Sequence, residues 1–349
     1  MARTSSPVAA LVNAQPSDEL DGFLRRQGIR GPVALNPVLA GRNSRVTRVS
    51  NPEGIWILKQ YDPATTGASG AWDRLGTEFG FLEYLEGEGL GLVPRPLGVD
   101  RRLGIALYSF LPGERLATVS DDHLQQAARF ILAINRTPPT DKAGAIHGAA
   151  DACIHWNDHL SLVGSRMTAL RMMQPGSAVE TAAAAMVENR LVPLWETIRR
   201  SLRARVAVDP TPAPILSPSD FGFHNALLHD GVLSFVDFEY AGWDGPVKLI
   251  CDFLCQPAIP VDPARAHLFI DTLVEGSPKF HGLRELVHRW LPAHRLKWCC
   301  ILLNEFRPAY LRRRLHAGLA ADGLLTSQLD KAQRYLDENL DASLSALAS

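Results

Sequence analysis

Apolar positions along this 349-residue chain change their period twice. Residues 1–16 are small and polar with two prolines and read as a mobile tail. Behind Ser17-Asp18-Glu19, the residues Leu20, Phe23 and Leu24 recur at helical spacing until Gly28, which predicts one short helix. From Val33 to about Leu116 the pattern turns to short extended runs, Arg45 to Val49, Ile55 to Tyr61 and Leu103 to Leu111. Asn51-Pro52-Glu53-Gly54 and the Gly/Ser-rich stretch 65–70 separate them. One helix interrupts this sheet: Leu75, Phe79, Leu82 and Leu85 fall at i, i+4, i+7 and i+10, and the pattern runs out at Gly87 to Gly91 before Pro94 and Pro96. After Pro112-Gly113 long helical patterns take over, the first capped by Ser120-Asp121-Asp122. A loop at 136–149, a helical stretch at 155–205 broken near Gln174-Pro175-Gly176, a turn-rich stretch at 209–218 and helices over 262–345 complete the chain. The expectation is an α+β protein with a tail at 1–16, a small β-rich lobe at 17–112 and a larger, mainly helical lobe at 113–349.

Composition narrows the class. Hydrophobic residues make up 46% and charged residues 21%, with Lys+Arg 36 against Asp+Glu 37, so a disordered chain or a globally basic nucleic-acid binder is excluded. Five cysteines without framework spacing fit free thiols in a reducing compartment. The apolar stretch Val8 to Val12 is too short for a secretory core, and no apolar run approaches the roughly 20 residues of a membrane span. A cytoplasmic protein acting away from membranes is expected; oligomeric state is not legible.

The segment 217–256 carries the chemistry. His229-Asp230-Gly231 between Ala226-Leu-Leu and Val232-Leu-Ser-Phe-Val is a strong hairpin signal, so Asn225 and Asp237 should sit at the open end of one hairpin. Asp220, five residues earlier on a loop, can bend back to the same place. Three oxygen-bearing side chains would then converge. A hard divalent cation takes oxygen ligands, so Asn225 and Asp237 could hold Mg2+ with nucleotide phosphates while Asp220 accepts a proton from an attacking hydroxyl. That is the arrangement of phosphoryl transfer. The plain alternative is that both aspartates cap turns, where Asp is common.

Asp220-x4-Asn225, the step to Asp237-Phe238-Glu239 and the following Gly242-Trp-Asp-Gly-Pro246 to Asp252 resemble the catalytic and metal-binding loops of the aminoglycoside phosphotransferase and choline kinase family. The resemblance covers roughly residues 35 to 255 and implies a two-lobed, protein-kinase-like fold that uses ATP, or GTP, with Mg2+ to phosphorylate a hydroxyl of a small molecule. By it, Asp220 is the catalytic base and Asn225 and Asp237 are the metal ligands. It further implies a strand lysine for the phosphates and a helix glutamate to hold it, matched by Lys59 in Trp56-Ile-Leu-Lys-Gln-Tyr61 and by Glu78 in Glu78-Phe-Gly-Phe-Leu82. Asn43 and Ser44 occupy the phosphate-covering turn, and Tyr108-Ser-Phe110-Leu-Pro-Gly113 resembles the hinge where adenine stacks, so Tyr108 and Phe110 are nucleotide-site candidates. For Lys59 the ordinary alternative is a solvated side chain on a sheet edge.

Two departures stand out. The position two before Asp220, commonly histidine in the family, is Pro218, and the next, where glycine is frequent, is Ser219. Proline supplies no imidazole hydrogen bond, so the Ser217 or Ser219 hydroxyl is expected to support the loop. His224 is read as a bracing residue and Asp252 as an anchor of the catalytic loop. Cys251 and Cys255, one helical turn apart, lack the further ligands a zinc site needs. The stretch His294 to Arg307, with Arg295, Lys297, Trp298, Asn304 and Glu305, is a helix with either a solvated face or acceptor contacts, and Arg312-Arg-Arg314 adds positive charge. A nucleotide-binding pseudokinase or scaffold without turnover is the rival reading. Hydrolase signatures such as Gly-x-Ser-x-Gly and His-Glu-x-x-His are absent from the sequence.

Overall fold

The computed structural model describes residues 18–38, 44–62, 72–136, 146–308, 310–311 and 323–340. The expected tail at 1–16, Asn43 with the turn around Gly41, the 65–70 linker, most of the 136–149 loop and Arg312 to Arg314 lie outside the described residues. Described residues up to Pro112 form one compact unit, and those from Gly113 onward form the other.

In the first unit, α1 (Asp18–Arg26) carries acids in its first turn and arginines in its last, complementing the helix dipole, and buries Phe23 and Leu24. A five-stranded antiparallel sheet follows, made of β1 (Ala34–Val38), β2 (Ser44–Asn51), β3 (Gly54–Tyr61), β4 (Pro96–Asp100) and β5 (Ile105–Ser109) in the order β1-β2-β3-β5-β4. The β2–β3 turn is stabilised by the Asn51 carboxamide oxygen, which accepts from the amides of Glu53 at 2.8 Å and Gly54 at 3.1 Å. The sequence pattern did not reveal β1 and β4. Each is an edge strand containing a proline, Pro37 or Pro96; proline reads as a breaker yet is tolerated where one side of the strand has no ladder to complete. Phe23, Leu24, Ile29, Val49, Leu58, Ile105 and Leu107 form the apolar cluster that seals α1 onto the sheet. The helix α2 (Arg74–Gly87) opens at Asp73, whose carboxylate accepts from the Gly76 amide at 2.9 Å, so Glu78 lies in its second turn.

The second unit contains α3 (Asp121–Ile134), α4 (Trp156–Arg171), α5 (Ala178–Met186), α6 (Val192–Arg203), α7 (Pro246–Cys255), α8 (Ala266–Gly276), α9 (Leu283–Leu302) and α10 (Leu324–Asn339). At α3 the Ser120 hydroxyl accepts from the His123 amide and the His123 ring accepts from the Ser120 amide, a reciprocal cap. Short strands hold the loops: β6 (Glu114–Arg115) pairs β8 (Ala226–His229), which pairs β9 (Val232–Phe235), while β7 (Ile215–Ser217) pairs β10 (Gly242–Asp244). The β8–β9 turn has Asp230 at φ 48 and Gly231 at φ 77, the two left-handed residues of a hairpin turn matched to strand twist. One expectation is corrected here. The stretch beginning at His294 is the second half of α9, which ends at Leu302, and a solvated face is ruled out because Lys297, Asn304 and Glu305 are buried. All five cysteines are buried free thiols. Among the described residues no helix is long and apolar enough to cross a membrane.

Candidate active site

The loop from Ser217 to Asn225 alternates in direction. Phe221 and Phe223 are buried, Phe221 stacking on Phe130 and Phe253 with centroids 5.8 and 5.4 Å away and Phe223 meeting Phe253 edge-on at 5.3 Å. This anchorage leaves Asp220, His224 and Asn225 partly exposed on the other side. The Asn225 carbonyl accepts from the Val236 amide at 2.9 Å, which extends the hairpin by one pair and sets Asn225 opposite Val236, the residue before Asp237. The Asn225 side-chain nitrogen donates to the Asp220 carbonyl at 2.9 Å. Its nitrogen is thereby engaged, and its Oδ1 is the ligand atom it offers. His224 Nε2 lies 3.3 Å from Asp220 Oδ1, a bracing contact. A side chain at Gly222 would strike that imidazole, its Cβ falling 2.8 Å from His224 Nδ1, so only glycine leaves the ring its place. Ser219 and Asp237 both have left-handed backbone, at φ 66 and φ 71. Non-glycine residues held there store strain, which in folded proteins concentrates at functional positions.

Behind this loop lies a buried ionic network that the sequence reading caught only at Asp252. Asp244 accepts from the amides of Cys153 and Gly245 at 2.9 and 2.8 Å and from Lys248 Nζ at 2.6 Å. Asp252 accepts from Lys297, from Trp298 Nε1 at 3.1 Å and from His294 Nδ1 at 3.3 Å, with Lys248 Nζ 3.5 Å away. Two lysines balance two aspartates, the condition under which buried charges are tolerable. Burial opposes the charge on Asp252, but the Lys297 and Lys248 cations and the His294 bond outweigh it and hold the carboxyl well below the usual range. Asp244 at the end of β10 and Lys248 and Asp252 on the otherwise apolar α7 are spaced by four residues, and this was the available signal for Lys248.

Because an ionised Asp252 only accepts, His294 Nδ1 donates to it, and His294 Nε2 then accepts from His159 Nδ1 at 2.8 Å. Burial pushes both histidines below their ordinary value; for His159 the neighbouring His294, Lys248 and Lys297 add to the effect, and for His294 the Asp252 carboxylate partly offsets it. Unfolding releases rings that take up protons near pH ~6.5, whereas the folded rings stay neutral, so stability falls as pH drops. The expected loss below about pH 6.5 approaches ~1.4 kcal/mol per pH unit for each histidine. Thermal melts from neutral to mildly acidic pH check this, and a flat melting temperature across that range would contradict it.

In the first unit Lys59 sits on the central strand β3 and is buried at 7% exposure, which overturns the solvated-edge alternative. Its Nζ lies 2.9 and 2.7 Å from the two Glu78 oxygens, and the Tyr61 hydroxyl donates to Glu78 at 2.6 Å. Tyr108 is buried with its hydroxyl 2.9 Å from that of Tyr61, and burial followed by the Glu78 charge raises the Tyr61 phenol well above its usual range. Phe110 is at the surface with the Arg48 guanidinium 5.3 Å from its ring centre, and Ser44 is buried at the start of β2. A buried ion pair contributes little net stability.

Solved structures with the same arrangement of elements are kinases of small molecules, and the fold is the protein-kinase-like α+β fold they share. The choline kinase LicA from Streptococcus pneumoniae superposes with a TM-score of 0.60 at 12% identity, over 92% of this chain and 100% of that one. Spectinomycin phosphotransferase APH(9)-Ia, in complex with ADP and spectinomycin, gives 0.61 at 13% identity over 95% and 98%. An ethanolamine kinase from Plasmodium vivax gives 0.52 at 12% identity over 85% and 84%. The sequence model of the phosphotransferase enzyme family matches residues 34–253, more than half of the chain, and the chain belongs to that family. No protein of curated function matches it by sequence.

Proposed function

We propose that the protein transfers the γ-phosphoryl group of ATP, with Mg2+, to a hydroxyl of a small molecule. The observation that carries this reading is the hairpin base, where Asn225 is bonded through its backbone to Val236 and through its side chain to Asp220. The donor set suits the metal: one carboxylate, Asp237, and one carboxamide oxygen, Asn225 Oδ1, are hard oxygen ligands of the kind magnesium takes beside phosphates. When bound, the ion would neutralise charge on the transferring phosphoryl group. Asp220 takes the proton of the acceptor hydroxyl as its oxygen bonds to the γ-phosphorus and the bond to the ADP oxygen breaks. His224 keeps the Asp220 carboxylate in one orientation. Lys59, held by Glu78, bears on the nucleotide phosphates as a point charge, with Ser44 at the start of β2, Tyr108 on β5 and Phe110 directly after it as the further nucleotide-site candidates.

The acceptor is sought by measuring ADP release from MgATP, and from MgGTP in parallel, in the presence of amino alcohols such as choline and ethanolamine, aminoglycosides, sugars and amino acids. Those classes follow the similar structures, which are named for choline, ethanolamine and spectinomycin. The expected result is strong stimulation by one class. Tight nucleotide binding with no stimulation by any of them would favour a scaffold role instead.

A further inference from the structure

We propose that Ser219 and Lys248 form a positioning pair that fixes the loop bearing Asp220; the inference rests on the reading of Asp220 as the base. The Asp220 amide donates to the Pro218 carbonyl at 3.0 Å across Ser219, whose φ is 66. An i to i+2 bond around a left-handed centre is the strained form of the γ-turn, and a serine stays there only when its surroundings leave no alternative. Those surroundings are visible. The Ser219 amide donates to the Ser217 hydroxyl at 3.0 Å. The Ser219 hydroxyl accepts from Lys248 Nζ at 3.3 Å and reaches the Ala150 carbonyl at 3.4 Å.

Lys248 is built to hold this contact. Its side chain is 2% exposed, and its ammonium is shared among Asp244 Oδ2 at 2.6 Å, Asp252 Oδ2 at 3.5 Å and the Ser219 hydroxyl. Asp244 is itself fixed by the Cys153 and Gly245 amides. Gly245 approaches the Cys153 carbonyl so closely that a Cβ there would fall 2.0 Å from its oxygen, so nothing bulkier permits this packing. The backbone around Ala150 is tied in as well, since the Ala150 amide donates to the Tyr240 carbonyl at 3.0 Å and the Ala149 amide to that of Trp243 at 2.8 Å. The hydroxyl oxygen therefore accepts a hydrogen bond from Lys248 and directs its own hydrogen toward Ala150, linking the residue next to Asp220 to two rigid elements. The two carboxylates already satisfy the ammonium's charge, so its bond to a neutral hydroxyl adds orientation rather than charge compensation. Pro218 offers no side-chain donor, and support enters through the following residue instead. Displacing a reacting group by about 1 Å costs on the order of a hundredfold in rate, which makes orientation the expected gain.

The test uses the full chain with MgATP, measuring transfer to the acceptor found by the screen, or to water where none is found. Ser219→Ala removes only the hydroxyl oxygen and leaves Lys248 with both carboxylates. Its kcat should fall by roughly ten- to a hundredfold with the KM for ATP changed less than about twofold. Amide hydrogen exchange over residues 217–225 should accelerate while the β8–β9 hairpin keeps its protection. Wild-type kcat in this variant would overturn the proposal, as would a lowered melting temperature with unchanged turnover per folded molecule. If the two side chains act as a unit, adding Ser219→Ala to Lys248→Met lowers kcat no further, and multiplicative losses would overturn the coupling. Should Lys248→Met fail to fold, Ser219→Ala alone decides. Turnover retained in Asp220→Asn would remove the base assignment, whereas the exchange measurement in Ser219→Ala would still decide whether the loop is braced.

Discussion

Asp220→Asn is expected to bind MgATP as the parent does and to lose turnover by about 10²- to 10⁴-fold, the range a positioned general base supplies. The carboxamide has the same shape and occupies the same loop, so the phenylalanines that anchor it are undisturbed. What changes is the acceptor of the hydroxyl proton. An amide oxygen is far less basic than a carboxylate, and the contact with His224 Nε2 loses its charged partner. Nucleotide titration and steady-state kinetics on the same preparation separate the two effects. Unchanged phosphoryl transfer in this variant would falsify the base assignment.

The second large effect is expected at Asp237. Its backbone is left-handed at φ 71, a conformation that asparagine tolerates well and alanine poorly, so Asp237→Asn isolates the charge from the backbone. The carboxamide keeps one oxygen toward a cation but lacks the negative charge that offsets Mg2+, and magnesium affinity in the presence of nucleotide should drop by at least about a hundredfold. Turnover at ordinary magnesium concentration should then be close to background and recover partially as the metal is raised. Asp237→Ala should show the same metal defect together with a lower melting temperature from the strained backbone. A normal magnesium titration in Asp237→Asn would remove Asp237 from the ligand set.

Which parts of the site were legible follows from how far apart its contacts lie along the chain. Asn225 and Asp237 were readable because an Asp-Gly turn sets the register of the hairpin between them, and the bond from Val236 to the Asn225 carbonyl follows from that register. Asp220 followed from a five-residue loop. Both aspartates share their loops with buried phenylalanines, whose alternation was already in the sequence. The edge strands β1 and β4 were hidden because their prolines remove the propensity signal without forbidding an edge position. The solvated-face alternative for the stretch from His294 to Arg307 arose because Lys297 on α9 and Asn304 and Glu305 beyond its end look solvated until the partner that buries them is known; for Lys297 that partner is Asp252, 45 positions away.

The sequence by itself determined the α+β class, the helices with their caps, the central strands of the sheet and the hairpin that gathers Asn225 and Asp237, since each is set by interactions within a few residues or within one turn. Only the tertiary structure decided that Lys59 is buried against Glu78, that two lysines and two aspartates balance behind the loop bearing Asp220, and that Lys248 reaches Ser219. Lys59 and Glu78, Ser219 and Lys248, and Asp252 and Lys297 lie 19, 29 and 45 positions apart. Pairing over such distances leaves no periodic trace, because burying a charge is favourable only when a specific opposite charge arrives from another element, and which element arrives is settled by packing.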